Sequence, residues 1–204
     1  GSARQAAAPG KVYSAGQVAA NLLGQAVSLE QQGLREEARQ TVLRLLSTDP
    51  ADVPARLMLA RLLVDAQRGD EARSVLQEGL RLAPDASALA VALARQRADG
   101  GDLAGAIATL QGLRPGAKEQ PGQRALLAAL LLRAQRFDEA VTQYRIALRQ
   151  EPEQPQWLVG LGVSLEGLGR GAEAVEAYRL ATRAPDLNPD TAQFLSDRLG
   201  QLRR

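Results

Sequence analysis

The 204-residue chain contains neither cysteine nor histidine. That excludes thiol nucleophiles, Cys/His metal sites and imidazole general bases together. It leaves the redox compartment open, since a chain without thiols is stable in either environment. Aromatic residues are scarce, with one Trp, three Tyr and two Phe. Hydrophobic content is nevertheless 45%, supplied mainly by Leu, Ala and Val, which suits close-packed helices better than a β-sandwich. Lysine is almost absent: of 25 basic residues only Lys11 and Lys118 are lysine and the other 23 are arginine. Arginine keeps its proton to very high pH, so a net charge of only +2 coexists with a basic isoelectric point, and this balance is not read as nucleic-acid binding. No apolar run reaches the roughly 18 residues that a membrane span needs.

What the chain does have is a period. Ala38, Ala72, Ala106, Ala140 and Ala174 stand 34 residues apart without an insertion, each after an acidic or small pair such as Asp70-Glu71 or Ala104-Gly105. Four residues further on come Val42, Leu76, Leu110, Tyr144 and Tyr178. A fixed spacing of this size marks a solenoid of stacked units. With each repeat begun 19 residues before its alanine, the starts fall at Ala19, Val53, Ser87, Pro121 and Pro155. Positions 7 and 8 then read Leu59-Ala60, Leu93-Ala94, Leu127-Ala128 and Leu161-Gly162. Position 11 is Leu29, Leu63, Arg97, Leu131 and Leu165, and position 32 carries Pro50, Pro84 and Pro152 in three of the five.

This pattern resembles the tetratricopeptide repeat, in which each repeat is a pair of short antiparallel helices. The resemblance covers roughly residues 19–188 and implies an all-α fold, a right-handed α-solenoid of five helix pairs. Small residues at positions 8 and 20 let the paired helices approach, and larger ones at 7, 11 and 24 fill the gaps. Ala140→Leu is therefore expected to overpack a helix–helix contact and cost about 1–3 kcal/mol. Trp157 departs from the pattern, sitting one place before the usual aromatic position and reading as a core or inter-repeat residue. Repeat 3 lacks the closing proline and has Pro115 instead, which predicts a shortened second helix.

In order, residues 1–13 show no periodicity and read as a flexible tether, with Gly1-Ser2 resembling a cloning scar. Residues 14–202 read as a single repeat array. Ser14 and Gln17 have capping-box spacing, opening a first helix to about Gln32 that Gly33 breaks. Further helices are expected at about 36–46, 53–67 with Asp52 as N-cap, 70–82, 85 to the Gly100-Gly101 turn, and on to about Arg114. After a loop at Pro115–Gly122 come 123–134, 138–150, 155–167 and 171–183. A last helix at 189–202 would cap the stack with Phe194, Leu195, Leu199 and Leu202.

In this family the first helices line a groove that holds a partner. The resemblance places there Leu23 and Val27; Leu57, Met58, Arg61, Val64 and Asp65; Val91, Arg95 and Asp99; Leu126, Ala129, Leu132 and Arg133; and Val159, Val163 and Glu166. Such a groove is mostly apolar and implies an apolar or amphipathic segment of another protein as ligand. The lysines and asparagines with which some family members clamp a terminal carboxylate are missing from these positions. Arg61 and Arg95, 34 apart, each have an aspartate four residues on. They read either as ordinary helix i,i+4 pairs or as a charged ladder gripping the partner. On the second helices, Arg81, Arg145, Arg149, Arg179 and Arg183 recur at positions 25 and 29, either a solvated face or a basic ridge for an acidic partner.

The glycines at 160, 162, 167, 169 and 171 are not read as a nucleotide loop, since no strand precedes them and no Lys-Ser/Thr follows. No convincing carboxylate pair suggests acid–base chemistry. The chain reads as non-enzymatic, with no metal, no cofactor and no nucleic-acid partner. The run Gln156-Trp157 through Gly160-Leu161-Gly162 and Tyr178 to Phe194, Arg198-Leu199 and Leu202, together with the early stop of repeat 3 at Leu110-x-x-Leu113-x-Pro115, resembles the tetratricopeptide proteins of the mannose-sensitive haemagglutinin (MSHA) type IV pilus biogenesis system. That resemblance implies a membrane anchor upstream, a periplasmic repeat domain and a scaffolding role in pilus or secretion assembly. The alternative is a soluble cytoplasmic adaptor, or a substrate-recruiting module of a larger enzyme.

Overall fold

The computed structural model describes residues 14–113, 120–185 and 187–202. The expected tether at 1–13, and most of the expected loop after Leu113, lie outside the described residues. Among the described residues every regular element is an α-helix: α1 (Ala15–Gln31), α2 (Arg35–Thr48), α3 (Val53–Asp65), α4 (Gly69–Leu82), α5 (Ser87–Asp99), α6 (Leu103–Gln111), α7 (Pro121–Arg133), α8 (Phe137–Gln150), α9 (Pro155–Gly167), α10 (Gly171–Ala181) and α11 (Pro189–Leu202). The elements are the five expected pairs and a final helix. The chain divides within α4 into two compact units, Gly1–Val75 and Leu76–Arg204.

The period is written in the backbone. Position 15 of every repeat has positive φ: Gly33 (80°), Gln67 (59°), Gly101 (85°), Gln135 (57°) and Gly169 (72°). Each left-handed residue ends the first helix of its pair. The N–H after it reaches back five residues, as from Leu34 to the Leu29 carbonyl (2.9 Å) and from Arg136 to the Leu131 carbonyl (2.9 Å). This is the Schellman closure, which satisfies the orphan carbonyls and turns the chain into the second helix. Glycine takes that conformation freely, whereas Gln67 and Gln135 take it at some cost.

In the N-terminal unit, α2 packs on both α1 and α3. The sequence-predicted capping box forms at Ser14, whose hydroxyl accepts from the Gln17 N–H at 3.2 Å while the Gln17 side chain accepts from the Ser14 N–H at 2.9 Å. Asp52 caps α3 by accepting from the Ala55 N–H at 2.7 Å. Arg56, at position 4, is 7% exposed and donates to the Pro50 carbonyl (2.6 Å) and the Val75 carbonyl (2.9 Å). It thereby ties the turn before α3 to the helix after it through charge-assisted hydrogen bonds.

In the C-terminal unit each helix from α5 to α11 packs on the next, and the first helices also touch, α5 on α7 and α7 on α9. Across the two units all five register alanines are fully buried, at 0% exposure. In repeat 5 position 8 is Gly162, where a Cβ would meet the Tyr178 ring at 2.3 Å; repeat 4 keeps Ala128 there although Tyr144 stands at position 24. Gly160 is matched in the same way to Tyr144, at 2.2 Å. These glycines have a packing role and no loop role, as the sequence reading required.

Repeat 3 differs. Its second helix, α6, has only nine residues, the shortening expected from Pro115. Helix α5 begins at Ser87, two residues later than the expected start at Asp85, with no side-chain cap at Ala86. Arg97 stands at position 11, where the other repeats have leucine. Its Nη1 donates to the Gly105 carbonyl (3.0 Å) and to Thr109 Oγ1 (2.7 Å), while its Nε is buried with no hydrogen-bond partner.

Candidate functional site

The expected groove residues are described unit by unit. In the N-terminal unit, Val64 is 44% exposed and Val27 40%, both on first helices, and Leu23 and Leu57 are half-buried. Asp65 is exposed. Met58 is only 5% exposed, so it belongs to the core and offers no surface to a ligand. Its position lies on the side of α3 with Leu62, four residues on and likewise buried.

The charge arrangement departs from both readings of the Arg–Asp pairs. Arg61 does not pair with Asp65. Its guanidinium forks onto the carboxylate of Glu30 on α1, with Nη2 to Oε2 at 2.6 Å. The hydrogen bond from Arg61 holds the Glu30 carboxyl below its ordinary value, against a smaller opposing effect of burial. Arg61 is thus a brace between successive first helices, and Asp65 adds only a favourable field to it. Arg95 and Asp99 do not pair either; both are exposed and without a hydrogen bond or ion pair among the described residues.

In the C-terminal unit the remaining positions share one face of each first helix by spacing: Val91, Arg95 and Asp99 on α5; Leu126, Ala129 and Arg133 on α7; Val159 and Val163 on α9. The apolar members and Leu132 are half-buried, and Arg95, Asp99 and Arg133 are exposed. The row at position 9 runs Arg95, Ala129, Val163, and position 13 offers Asp99 and then Arg133. The result is a shallow apolar strip with unengaged charges of both signs, suited to a backbone-rich or amphipathic ligand.

Glu166, expected on this strip, is occupied. Arg198 of α11 forks onto its carboxylate, with Nε to Oε1 at 3.1 Å, and the Tyr178 hydroxyl donates to the same group. Phe194 of α11 meets Tyr178 edge to face, ring centroids 5.9 Å apart. The capping helix is therefore clamped to α9 and α10, and Trp157 is half-buried against the same core. Burial pushes the Tyr178 and Tyr144 hydroxyls up to about 12, so neither supplies an acid or base near neutrality.

The ridge arginines are all exposed, Arg81, Arg145, Arg149 and Arg179 on second helices and Arg183 in the turn beyond α10, which ends at Ala181 and not at the expected 183. Arg81 is held by Glu78, Arg179 by Glu176 at 2.8 Å, and Arg145 by Glu173 at 2.8 Å. Arg149 and Arg183 have no hydrogen bond or ion pair among the described residues. A second regularity, not anticipated from the sequence, opens the second helices: Arg68–Glu71, Arg136–Glu139 and Arg170–Glu173 each form a two-bond fork between positions 16 and 19. In repeat 3 Asp102 takes over by accepting from the Gly105 N–H at 2.8 Å. The 34-residue alignment carries this signal in its Arg and Glu columns.

Among the described residues no group of three or more Asp, Glu, Cys or His could hold a metal ion, and no helix is long and apolar enough to cross a membrane. Sequence profiles of the tetratricopeptide repeat match residues 17–96 and 126–189, together more than half of the chain. No curated protein matches the sequence. Solved structures similar in fold include pilF of Pseudomonas aeruginosa (TM-score 0.70, 14% identity, 92% of this chain and 90% of that one). YrrB, a TPR protein with an unusual peptide-binding site, aligns with TM-score 0.70 and 18% identity over 88% and 92%. MamA from Desulfovibrio magneticus RS-1 aligns with TM-score 0.70 and 15% identity over 85% and 100%. At these identities the likeness is one of fold.

Proposed function

The chain belongs to the tetratricopeptide repeat family, and from that premise we propose that it is a non-catalytic protein-binding scaffold whose ligand lies on the first helices. The observation that carries this reading is the strip itself. In the C-terminal unit Arg95, Asp99 and Arg133 stand exposed and without partners beside the half-buried Val91, Leu126, Ala129, Val159 and Val163, and in the N-terminal unit Val64 is 44% exposed on its own first helix. The ligand is an apolar or amphipathic polypeptide segment, with the free charges of both signs setting its register.

The cellular setting rests on the sequence resemblance to the MSHA-type pilus proteins. On that basis the scaffold serves assembly of a type IV pilus or a related envelope machine, on the periplasmic side of an inner-membrane anchor. Two observations favour this within the family: the early stop of repeat 3, and the clamped terminal helix formed by Phe194 and Arg198. The coding sequence upstream of residue 3 tests the setting. An apolar span of about 20 residues preceded by basic residues is expected; a start codon with no such span contradicts it. Binding is tested by affinity capture with wild type and with Val64→Glu and Arg95→Glu. Both variants should keep their helicity and lose the principal partner, and a partner retained by both removes the first helices as the binding surface.

A further inference from the structure

The second-helix side of the last two repeats carries an apolar surface that the helix pairs do not need. Leu180 is 45% exposed, one turn from fully buried positions of the same helix. The residues at its repeat position elsewhere are Arg44, Glu78, Gly112 and Ile146, so no common packing rule demands a leucine there. Leu180 divides two adjoining hollows. One, of about 430 Å³, is floored by Leu158 and Leu161 of α9 and walled by Leu148 of α8. The other, of about 340 Å³, runs past Pro152 and Pro185.

The rims of both hollows are basic. Arg145 and Arg149 border the first and Arg183 the second, with Glu153 the one carboxylate among the lining residues. Arg145 is engaged by Glu173, whereas Arg149 and Arg183 have no partner among the described residues. Free guanidiniums beside a leucine-lined hollow match a ligand that presents carboxylates next to apolar anchors, because arginine binds carboxylate in two-pronged fashion and its stem adds apolar contact.

We propose that this surface docks an acidic amphipathic segment of a partner protein, with apolar side chains straddling Leu180 and Asp or Glu residues on Arg149 and Arg183. The site is built from α8, α10 and the turn after α10 over a floor from α9, and it includes none of the strip residues, so, given the first-helix reading, the chain joins two polypeptides at once.

The test is selection of a displayed library of random peptides about four helical turns long against the whole chain, with affinities read by fluorescence anisotropy. Selected peptides should pair Leu, Phe or Trp at i,i+3 or i,i+4 with flanking Asp or Glu. Their affinity should fall at least about tenfold for Leu180→Gln and for the Arg149→Glu/Arg183→Glu double variant, and stay unchanged for Arg95→Glu on the first helices. Circular dichroism on each variant checks that the fold is intact, and the single leucine variant serves if the double one is unstable. Failure to select binders, binders of basic composition, or binders indifferent to both variants overturns the proposal. So does wild-type self-association in sedimentation, or binding to phosphatidylglycerol vesicles, that these substitutions abolish, since either result would assign the surface to another occupant.

Discussion

Repeats 3 and 5 follow one 34-residue plan and complete it in opposite ways. Repeat 5 is interlocked: glycines at 160 and 162 admit the rings of Tyr144 and Tyr178, and Arg198 and Phe194 of the last helix close over them. Repeat 3 is built loosely: Arg97 takes a leucine position, its Nε lies buried without a hydrogen bond and 3.8 Å from the Asp102 carboxylate, and α6 stops after nine residues. The same register thus tolerates either ring-into-glycine packing or a polar reach across the pair. The cost shows as an unsatisfied donor in one case and as glycine in mid-helix in the other.

The largest test of that contrast is Gly162→Ala. Alanine is the better helix former by about 1 kcal/mol, yet its Cβ collides with Tyr178, so chemical denaturation should show a net loss of about 2 kcal/mol. Adding Tyr178→Leu converts the pair to the Ala94/Leu110 solution of repeat 3 and should recover part of that loss in a double-mutant cycle. A stabilised single variant would show that the ring moves aside freely. Next in size, Arg97→Leu gives repeat 3 the leucine of its neighbours and should raise stability by about 1 kcal/mol; a loss would mean that the bonds to Gly105 and Thr109 and the ion pair with Asp102 outweigh the cost of burying the guanidinium.

Somewhat smaller effects are expected at the left-handed turns. Gln135→Gly should gain up to about 1 kcal/mol, and Gly101→Ala should lose about as much, both read as midpoint shifts in urea. The smallest effect concerns pH. The folded-state pKa of Glu30 is depressed by its bond from Arg61, so its contribution is complete above the ordinary value near 4.5 and is lost as pH falls below that through the folded value. Arg61 is half exposed, which limits the effect to roughly 0.5 kcal/mol after solvent screening. Glu30→Gln should flatten that part of the stability–pH curve, whereas Arg95→Gln in repeat 3, which breaks no ion pair, should leave it unaltered.

The spacing of small residues made the fold legible before any coordinates. Ala38 through Ala174 are buried because two helices cannot approach over a larger side chain, and that constraint is local to each pair. The turn at position 15 was half legible: Gly33, Gly101 and Gly169 announce it, but Gln67 and Gln135 do so only through the register. The polar links were not legible. Glu30–Arg61 and Glu166–Arg198 join residues 31 and 32 apart, and at Arg61 side-chain reach across helices outcompeted the nearer i,i+4 partner, Asp65, that spacing suggested. Met58 was misplaced because the family position faces the groove, whereas in α3 the side chain turns into the core.

The central claim, that first helices hold the ligand, is tested most directly by site-specific photo-crosslinking in the native cell. A photoreactive residue is placed in turn at Arg95, Ala129 and Val163, and as controls at Ala104 and Ala172, which are exposed on second helices. The account predicts one common partner protein cross-linked from the first three positions and not from the controls. Cross-linking of that partner from the controls alone, or equally from all five, would contradict it.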